Sequence, residues 1–455
     1  MDYAGKRVSI MGLGRSGRAL AEVLLGRGAL VFVSDAKPRE ELERFLEGLP
    51  EDRIVAEYGG NTEKVYEGKD LIVISPGVSI YHPVLEAARK QGVPVIGEIE
   101  LAWQFAKAPL IAVTGTNGKS TTVSLIHRIL KEGGVSSLLA GNIGVPLSAE
   151  VAAHDEVSWI VAEVSSFQLE TIAQFRPRIG VILNITDDHK DRHRTFNEYV
   201  RAKARLFENQ GPGDYAVLNF DDASLRDIAR EVRAERYFFS TSGEVERGAF
   251  CRDGSLWFRG GGVEELLFSR DEVPLKGGHN LSNVLAVLTV AMIAGISGDS
   301  VLSSLRAFTP LSHRLEYTAT VRGVKFYDDS KGTNPGAVMA ALESFTEPIT
   351  LIAGGKDKSM DFSDLGRRIA RRVKNLVVIG ESAEKIAEAS AMAGMKSITR
   401  SASFPEAVKK AFEASSPGDV VLLSPACASF DMFSSAEHRG DLFQELVKKM
   451  EVEYP

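Results

Sequence analysis

The segment "LIAVTGTNGKSTTVSLIHRILKEGG", Leu110–Gly134, decides how the chain is read. An apolar run passes through a glycine turn into a helical pattern, with Gly118, Lys119, Ser120 and Thr121 at the helix start. Backbone amides of such a turn can wrap the phosphates of ATP. Lys119 can neutralise the terminal phosphates, and Ser120 or Thr121 can ligate Mg²⁺. The common nucleotide loop has four residues between its first glycine and the Gly-Lys pair. Here only Thr116 and Asn117 separate Gly115 from Gly118, so the loop points to a distinct family.

Toward the N-terminus, "VSIMGLGRSGRALAEVLLGRGALVFVSDA" (Val8–Ala36) repeats the strand, glycine turn and helix, then adds a second strand ending near Asp35. Gly12, Gly14 and Gly17 permit a tight turn and close backbone approach, and the helix start offers N–H groups to a diphosphate. Asp35 is placed to accept hydrogen bonds from a ribose. Alone, the pattern suggests NAD, although other nucleotides bind by the same physics. The loop fixes a diphosphate without naming the molecule.

Strand–helix alternation continues on both sides. "DLIVISPG" and "VPVIGE" follow the first loop; "WIVAEVSS", "IGVILNIT" and "YAVLNFDD" follow the second. Residues 235–275 read as short strands with glycine turns, a hairpin layer beside the sheet. "NLSNVLAVLTVAMIAG" then reads as a helix capped by Asn280 or Ser282 and stopped by Gly295. A third alternation runs through "GVKFYDDS", "ITLIAGG", "NLVVIG" and "DVVLLSPA". Proline breaks the pattern near "AKAPL" and "PLSHR". The expectation is three tandem α/β domains, 1–107, 108–311 and 312–455, Rossmann-like, P-loop ATPase-like and Rossmann-like in turn.

Composition agrees with such a chain. At 455 residues it exceeds one core. A net charge of −7 gives no global pull toward nucleic acid or anionic membrane. The basic stretch "RRIARRVK" (Arg367–Lys374) reads as a solvated helix face. Cys251 and Cys427 alone cannot build a disulfide framework. With no export signal at the start and no apolar run of ~20 residues, a soluble cytoplasmic protein without a membrane segment is expected.

The abbreviated loop "TGTNGKST" resembles the ATP-binding loop of the Mur ligases, ATP-dependent amide-forming enzymes of peptidoglycan precursor synthesis. Further segments match in order: "GNIGVP" (Gly141–Pro146), "EVSSFQLE" (Glu163–Glu170), "NITDDHKDRH" (Asn184–His193), "GGHNLSN" (Gly277–Asn283), "HRLE" (His313–Glu316), "DDSKGTNP" (Asp328–Pro335) and "LLSPACASFDMF" (Leu422–Phe433). "GLGRSG", "SSFQLE" and "SPACASFDMF" look most like the branch that joins D-glutamate to UDP-N-acetylmuramoyl-L-alanine.

The resemblance implies that the first loop holds a UDP diphosphate, not NAD, with Gly14, Arg15, Ser16, Asp35, Gly77, Asn142 and Ser165 around the UDP-substrate. ATP would meet Gly115, Thr116, Asn117, Gly118, Lys119, Ser120 and Thr121. Asn280 and Asn283 would lie around the adenine, Arg314 on the phosphates and Asp329 on the ribose. Two Mg²⁺ ions are expected on Ser120, Thr121, Glu163, His189 and Lys203, the last N-carboxylated into an oxygen ligand. Magnesium prefers oxygen, so a histidine ligand is unusual, and from spacing alone "DHKDRH" fits a transition-metal hydrolase or a polar turn equally. Lys119, His189, Lys203 and Lys331 would carry catalysis; Thr333, Lys358 and Ser429 would hold the acceptor amino acid.

ATP would phosphorylate a carboxylate and the acceptor amine would displace the phosphate, with closure of the third domain keeping water out. Lys190 and Ala436 depart from the family pattern and leave acceptor choice open. Partners expected are UDP-N-acetylmuramoyl-L-alanine, D-glutamate and ATP, with a monomer and no nucleic acid. Alternatives are a sister ligase adding another amino acid, a nicotinamide-dependent oxidoreductase and a non-catalytic ATP-binding switch.

Overall fold

The computed structural model describes residues 2–154, 156–188, 192–275, 277–309, 311–357 and 359–454. Among them the strands form three sheets in chain order. The first contains β1 (Arg7–Met11), β2 (Leu30–Asp35), β3 (Ile54–Tyr58), β4 (Leu71–Ile74) and β5 (Val95–Gly97), all parallel, in the order β3-β2-β1-β4-β5. Its apolar runs are continuous because both faces are covered. Val8, Ile10, Val31 and Val33 enter one core, while Met11, Phe32, Ile72 and Ile74 enter another. Strand order reverses between β1 and β4, which opens a crevice at their C-terminal ends.

The second sheet contains β6 (Leu110–Thr114), β7 (Ser137–Gly141), β8 (Trp159–Glu163), β9 (Ile179–Ile182), β10 (Tyr215–Asn219), β11 (Glu235–Ser240), β12 (Gly248–Arg252), β13 (Ser255–Gly260) and β14 (Val263–Ser269). Their order is β14-β13-β12-β11-β10-β9-β6-β8-β7. The short strands of 235–275 are not a separate layer. β11 pairs parallel with β10 (Tyr215 opposite Glu235), β12 continues it, and β13 and β14 return antiparallel within the same sheet. Apolarity alone could not distinguish an added edge from a second layer, because both bury one face.

The apolar helix spans Gly278–Ile293, starting ahead of both expected caps. Gly277 (φ +90°) precedes it, and Gly295 (φ +80°) lies just past its end. Val284–Ala291 are all buried, so the helix has no polar stripe; it packs against Val123, Ile126 and Leu130 of the helix Lys119–Glu132 and against Val217 and Phe239 of the sheet.

The third sheet contains β15 (Glu316–Val321), β16 (Val324–Asp328), β17 (Ile349–Gly354), β18 (Val373–Ile379), β19 (Ile398–Arg400) and β20 (Val420–Leu423), ordered β15-β16-β20-β17-β18-β19. Only the edge pair β15–β16 is antiparallel. Parallel strands gather the loops after β16, β20 and β17 at one end. Among the described residues no helix is long and apolar enough to cross a membrane.

Candidate active site

β6 lies between β8 and β9, and this adjacency builds the glycine loop's surroundings. Val113 pairs with Glu163 at the end of β8, and Thr114 with Ile182 at the end of β9. The loop residue Gly115 has φ +153°, and Gly118 has φ +87°. The left-handed backbone at Gly118 favours glycine, and a Cβ there would lie 2.3 Å from Asn283 Oδ1, so the loop sits close against the side chains of the helix Gly278–Ile293. From the other side, Asn184 Oδ1 accepts from Asn117 N–H (2.9 Å) and its Nδ2 donates to Asn117 C=O (3.1 Å). Thr116 Oγ1 donates to Thr186 C=O (3.1 Å) and lies 3.2 Å from Tyr199 Oη.

Two lysines converge on this loop. Lys119 Nζ donates to the carbonyls of Gly115 and Thr116, both at 2.9 Å, and Lys203 Nζ donates to Gly115 C=O at 2.9 Å. Lys203 belongs to the helix Phe196–Ala204, yet it is 1 % exposed, not a solvated surface charge. Burial, reinforced by the neighbouring Lys119 cation, pushes its pKa well below the ordinary lysine value. Lys119 is lowered chiefly by burial, with Glu163 opposing the shift and Arg314 adding to it.

Glu163, 3 % exposed, joins two regions. Its Oε2 accepts from Ser120 Oγ (2.7 Å), and its Oε1 from Asn142 Nδ2 (2.8 Å). Hard oxygens from Ser120, at a helix start, and from Glu163, at a strand end, suit Mg²⁺. Arg314 Nη2 reaches Ser120 Oγ (3.2 Å), and its buried Nε has no hydrogen-bond partner among the described residues. An orphaned guanidinium N–H beside the loop fits an incoming phosphate oxygen. Arg314 sits between His313 (φ +63°) and Leu315 (φ +48°). This strained turn is held by His313 Nδ1 against Asp328 Oδ2 (2.7 Å), His313 N–H to Glu316 Oε2 (2.7 Å) and Leu315 N–H to Asp329 Oδ1 (3.3 Å).

A cavity of about 350 Å³ lies beside the loop. Asn117, Gly118, Thr121, Asn280, Asn283, Arg314 and Asp329 line it, so residues expected around one nucleotide share a wall drawn from two sheets. His279 also lines it; burial lowers its pKa to about 4, so the imidazole is neutral.

The second cleft, of about 920 Å³, opens at the β1–β4 crevice. Gly14, Arg15, Ser16, Asp35 and Gly77 line it together with Asn142 from the second sheet's unit. Gly12 (φ +95°) and Gly17 serve the turn itself: a Cβ on Gly17 would lie 2.2 Å from Gly12 C=O. Around a Cβ on Gly14 there is open space, which leaves that backbone accessible from the cleft. Asp35 Oδ2 accepts from Leu13 N–H (2.7 Å) and Oδ1 from Lys37 N–H (2.9 Å), so this carboxylate also shapes the turn. Ser165 is not on the lining. It caps the helix Ser166–Leu169 in a reciprocal box with Gln168, and Gln168 reaches the cleft.

In the third unit, Asp329 is buried, accepts from Ser424 Oγ (2.6 Å), and is pushed up to about 7 by burial. Lys331 Nζ lies 3.3 Å from Glu437 Oε1, and Ser429 is buried. The loops bearing Thr333 and Ser429 are tied together by Arg439, a residue the sequence had not singled out. It is 1 % exposed and donates to Ser330 Oγ (2.9 Å), Ser330 C=O (2.8 Å) and Cys427 C=O (3.2 Å). Ala436 opens the helix Ala436–Glu453, and its carbonyl accepts from Ser330 Oγ (2.7 Å). His189, Lys190 and Lys358 lie outside the described residues.

Known proteins resemble this chain in sequence and in fold. Three domain models match in order: Mur ligase MurD-like, N-terminal domain (residues 6–97), Mur ligase middle domain (113–291) and Mur ligase, glutamate ligase domain (313–427). The chain is 47% identical over 446 residues to a UDP-N-acetylmuramoylalanine--D-glutamate ligase of Pelotomaculum thermopropionicum, covering 98% of each. It is 47% identical over 450 residues to one of Koribacter versatilis, covering 99% of each. Among solved structures, the pseudomurein peptide ligase type C from Methanothermus fervidus superposes with a TM-score of 0.63 at 19% identity, over 98% of this chain and 100% of that one. The MurF ligase from Thermotoga maritima in complex with ADP gives 0.61 at 18% identity, over 100% of this chain and 97% of that one. The structural likenesses establish the fold, and the sequence likenesses go further. A chain that matches all three domain models in order, and shares nearly half its residues with such relatives along its length, belongs to the Mur ligase family.

Proposed function

We propose that this chain joins D-glutamate to UDP-N-acetylmuramoyl-L-alanine, converting ATP to ADP and phosphate. The observation that carries the proposal is the convergence of Lys119, Ser120, Glu163 and Arg314 on one glycine loop, in a chain whose relatives carry that enzyme's name. The division into residues 1–107, 108–311 and 312–455 suits this chemistry, with one unit for the UDP-substrate, one for ATP, and one to complete the ATP and acceptor sites.

In this scheme the cleft at Gly14, Arg15, Ser16, Asp35, Gly77 and Asn142 takes the UDP-substrate, while Ser165 supports its wall by capping. The loop amides of Gly115–Thr121 and the Lys119 amine hold the ATP phosphates, and Arg314 supplies a further cation from the third unit. Asn280 and Asn283 read the base, and Asp329 faces the ribose. Ser120, Thr121 and Glu163 would hold Mg²⁺, with His189 and Lys203 at a second ion; when bound, the ions neutralise charge on the transferring phosphoryl group. Lys203 is suited to N-carboxylation because burial favours its neutral amine: the nitrogen lone pair adds to CO₂, and one proton leaves as the carbamate forms. Lys331 reaches toward the phosphates or the reacting carboxylate. Lys358, Thr333 and Ser429 hold the acceptor through a cation and hydroxyl donors. The setting proposed is cytoplasmic, with a monomeric enzyme.

The test is phosphate release with a panel of UDP-muramoyl precursors and amino acids. D-glutamate with the L-alanyl precursor is expected to be the productive pair, and Lys119→Ala, folded, is expected to lose turnover. Turnover with another amino acid where D-glutamate fails would move the assignment to a sister ligase. Parental turnover by Lys119→Ala would end it.

A further inference from the structure

The helix Pro335–Leu342 in the third unit begins at Asn334, whose Oδ1 accepts from Ala337 N–H (2.8 Å) as an N-cap. The same side chain crosses to the central unit. Asn334 Nδ2 donates to Asn117 Oδ1 (3.0 Å) and to Asp188 Oδ2 (3.1 Å), and Asn117 Nδ2 returns a longer bond to Asn334 Oδ1 (3.4 Å). Asn334 is buried at 4 % exposure. Next to it, a Cβ on Gly336 would stand 3.4 Å from Asn117 Nδ2 and from Thr186 Oγ1, so the helix start is seated on the loop itself.

A helix cap needs only one acceptor oxygen. Serine or aspartate would serve as well, so capping does not explain an amide that also donates across a domain boundary. Asn117 is constrained on two sides: Asn184 fixes its backbone, and Asn334 fixes its side chain. Its backbone belongs to the turn read above as the ATP loop.

We propose that Asn334 is a positioning residue that latches the third unit onto the ATP loop, setting the loop's shape through Asn117 only when the two units are closed. Loop geometry and domain closure thereby become a single event. Without the latch, the third unit still folds and ATP still finds the loop, but the phosphoryl group and the acceptor are no longer aligned. Misplacement of about 1 Å is enough to cost on the order of a hundredfold in rate. Because the latch rests on the ATP-loop assignment, its test carries one readout that does not depend on ligation.

Asn334→Ser separates the two duties, since serine keeps the cap but is too short to reach Asn117 and Asp188. Asn117→Ala breaks the Asn117 part of that contact from the loop side, leaving the cap and the bond to Asp188 in place. Phosphate release, thermal unfolding and small-angle X-ray scattering would be measured on the full chain, its two single variants and the double. Expected for Asn334→Ser is a melting temperature within about two degrees of the parent, a larger radius of gyration, and kcat lower by about ten- to a hundredfold with little change in the KM for ATP. The double variant should be no slower than the worse single by more than about twofold, as for two ends of one contact. Parental kcat and radius of gyration in Asn334→Ser would overturn the latch, as would effects of the two singles that multiply. A parent that releases no phosphate with any precursor, while Asn334→Ser still expands, would reject the ligase assignment and leave the latch standing.

Discussion

Asp329 is buried beside Ser424 and Leu315, which donate to its two oxygens, and burial still raises its pKa from the ordinary 3.8 to about 7. Between those two values the folded chain holds a proton that the unfolded chain has lost. Stability contributed by this group is therefore complete below about pH 4 and lost as pH rises through about 7. Asparagine can keep an oxygen toward Leu315 N–H and donate to Ser424, without a charge to bury. Asp329→Asn should flatten the pH dependence: urea unfolding should show the variant gaining on the parent by on the order of a few kcal/mol between pH 5 and pH 8. An equal slope for both proteins would show that Asp329 is not the titrating group. Residues whose duty follows from local spacing were legible in the sequence: Lys119 at a helix start and Glu163 at a strand end both lie where their segments indicated. The burial of Lys203 and Arg439 was not legible, because a helical lysine or arginine looks the same whether its face meets solvent or another element. The capture of Asp35 by Leu13 N–H likewise depends on the pairing of β1 with β2.

Helices and strands were easier to find than to place. Three runs of strand–helix alternation emerge as three sheets, since parallel strands buried on both faces leave long apolar runs. The strands of 235–275 were recognisable, but their attachment to the edge at β11 depends on backbone pairing that side-chain pattern does not encode. The short helix Ser166–Leu169 shows how an element can serve a cleft indirectly. Ser165 Oγ accepts from Gln168 N–H (3.2 Å), and Gln168 Oε1 accepts from Ser165 N–H (2.9 Å). Ser165→Ala should cost about 1 kcal/mol in chemical unfolding and weaken binding of the UDP precursor, measured by calorimetry. Ser165→Asp, which also caps, should recover most of the stability. If alanine left stability unchanged and affected only binding, the serine would act on the ligand directly.

Across the whole molecule, the first and second units meet at a nearly buried cation. Arg192 donates to Glu170 Oε2 through Nη2 (2.7 Å) and Nε (3.2 Å), and through Nη2 to Val78 C=O on the cleft's wall (3.1 Å). Losing these charge-assisted hydrogen bonds in a partly buried pair costs about 2 kcal/mol. Arg192→Ala should therefore unfold at lower urea and bind the UDP precursor more weakly, while a non-hydrolysable ATP analogue binds as to the parent. Loss of both affinities together would mean that the seam supports the entire fold. Contacts of this kind, like Asn334 with Asn117 in "TGTNGKST", join segments whose separation in sequence conceals their meeting.

Glu163 leans on the glycine loop with one oxygen and on the wall of the other cleft with its second. If ligands in both clefts touch Glu163, they are bound by reciprocity: whatever factor the first adds to the second's affinity, the second returns to the first. Which one arrives earlier can change how quickly the sites fill, but not their occupancy at equilibrium.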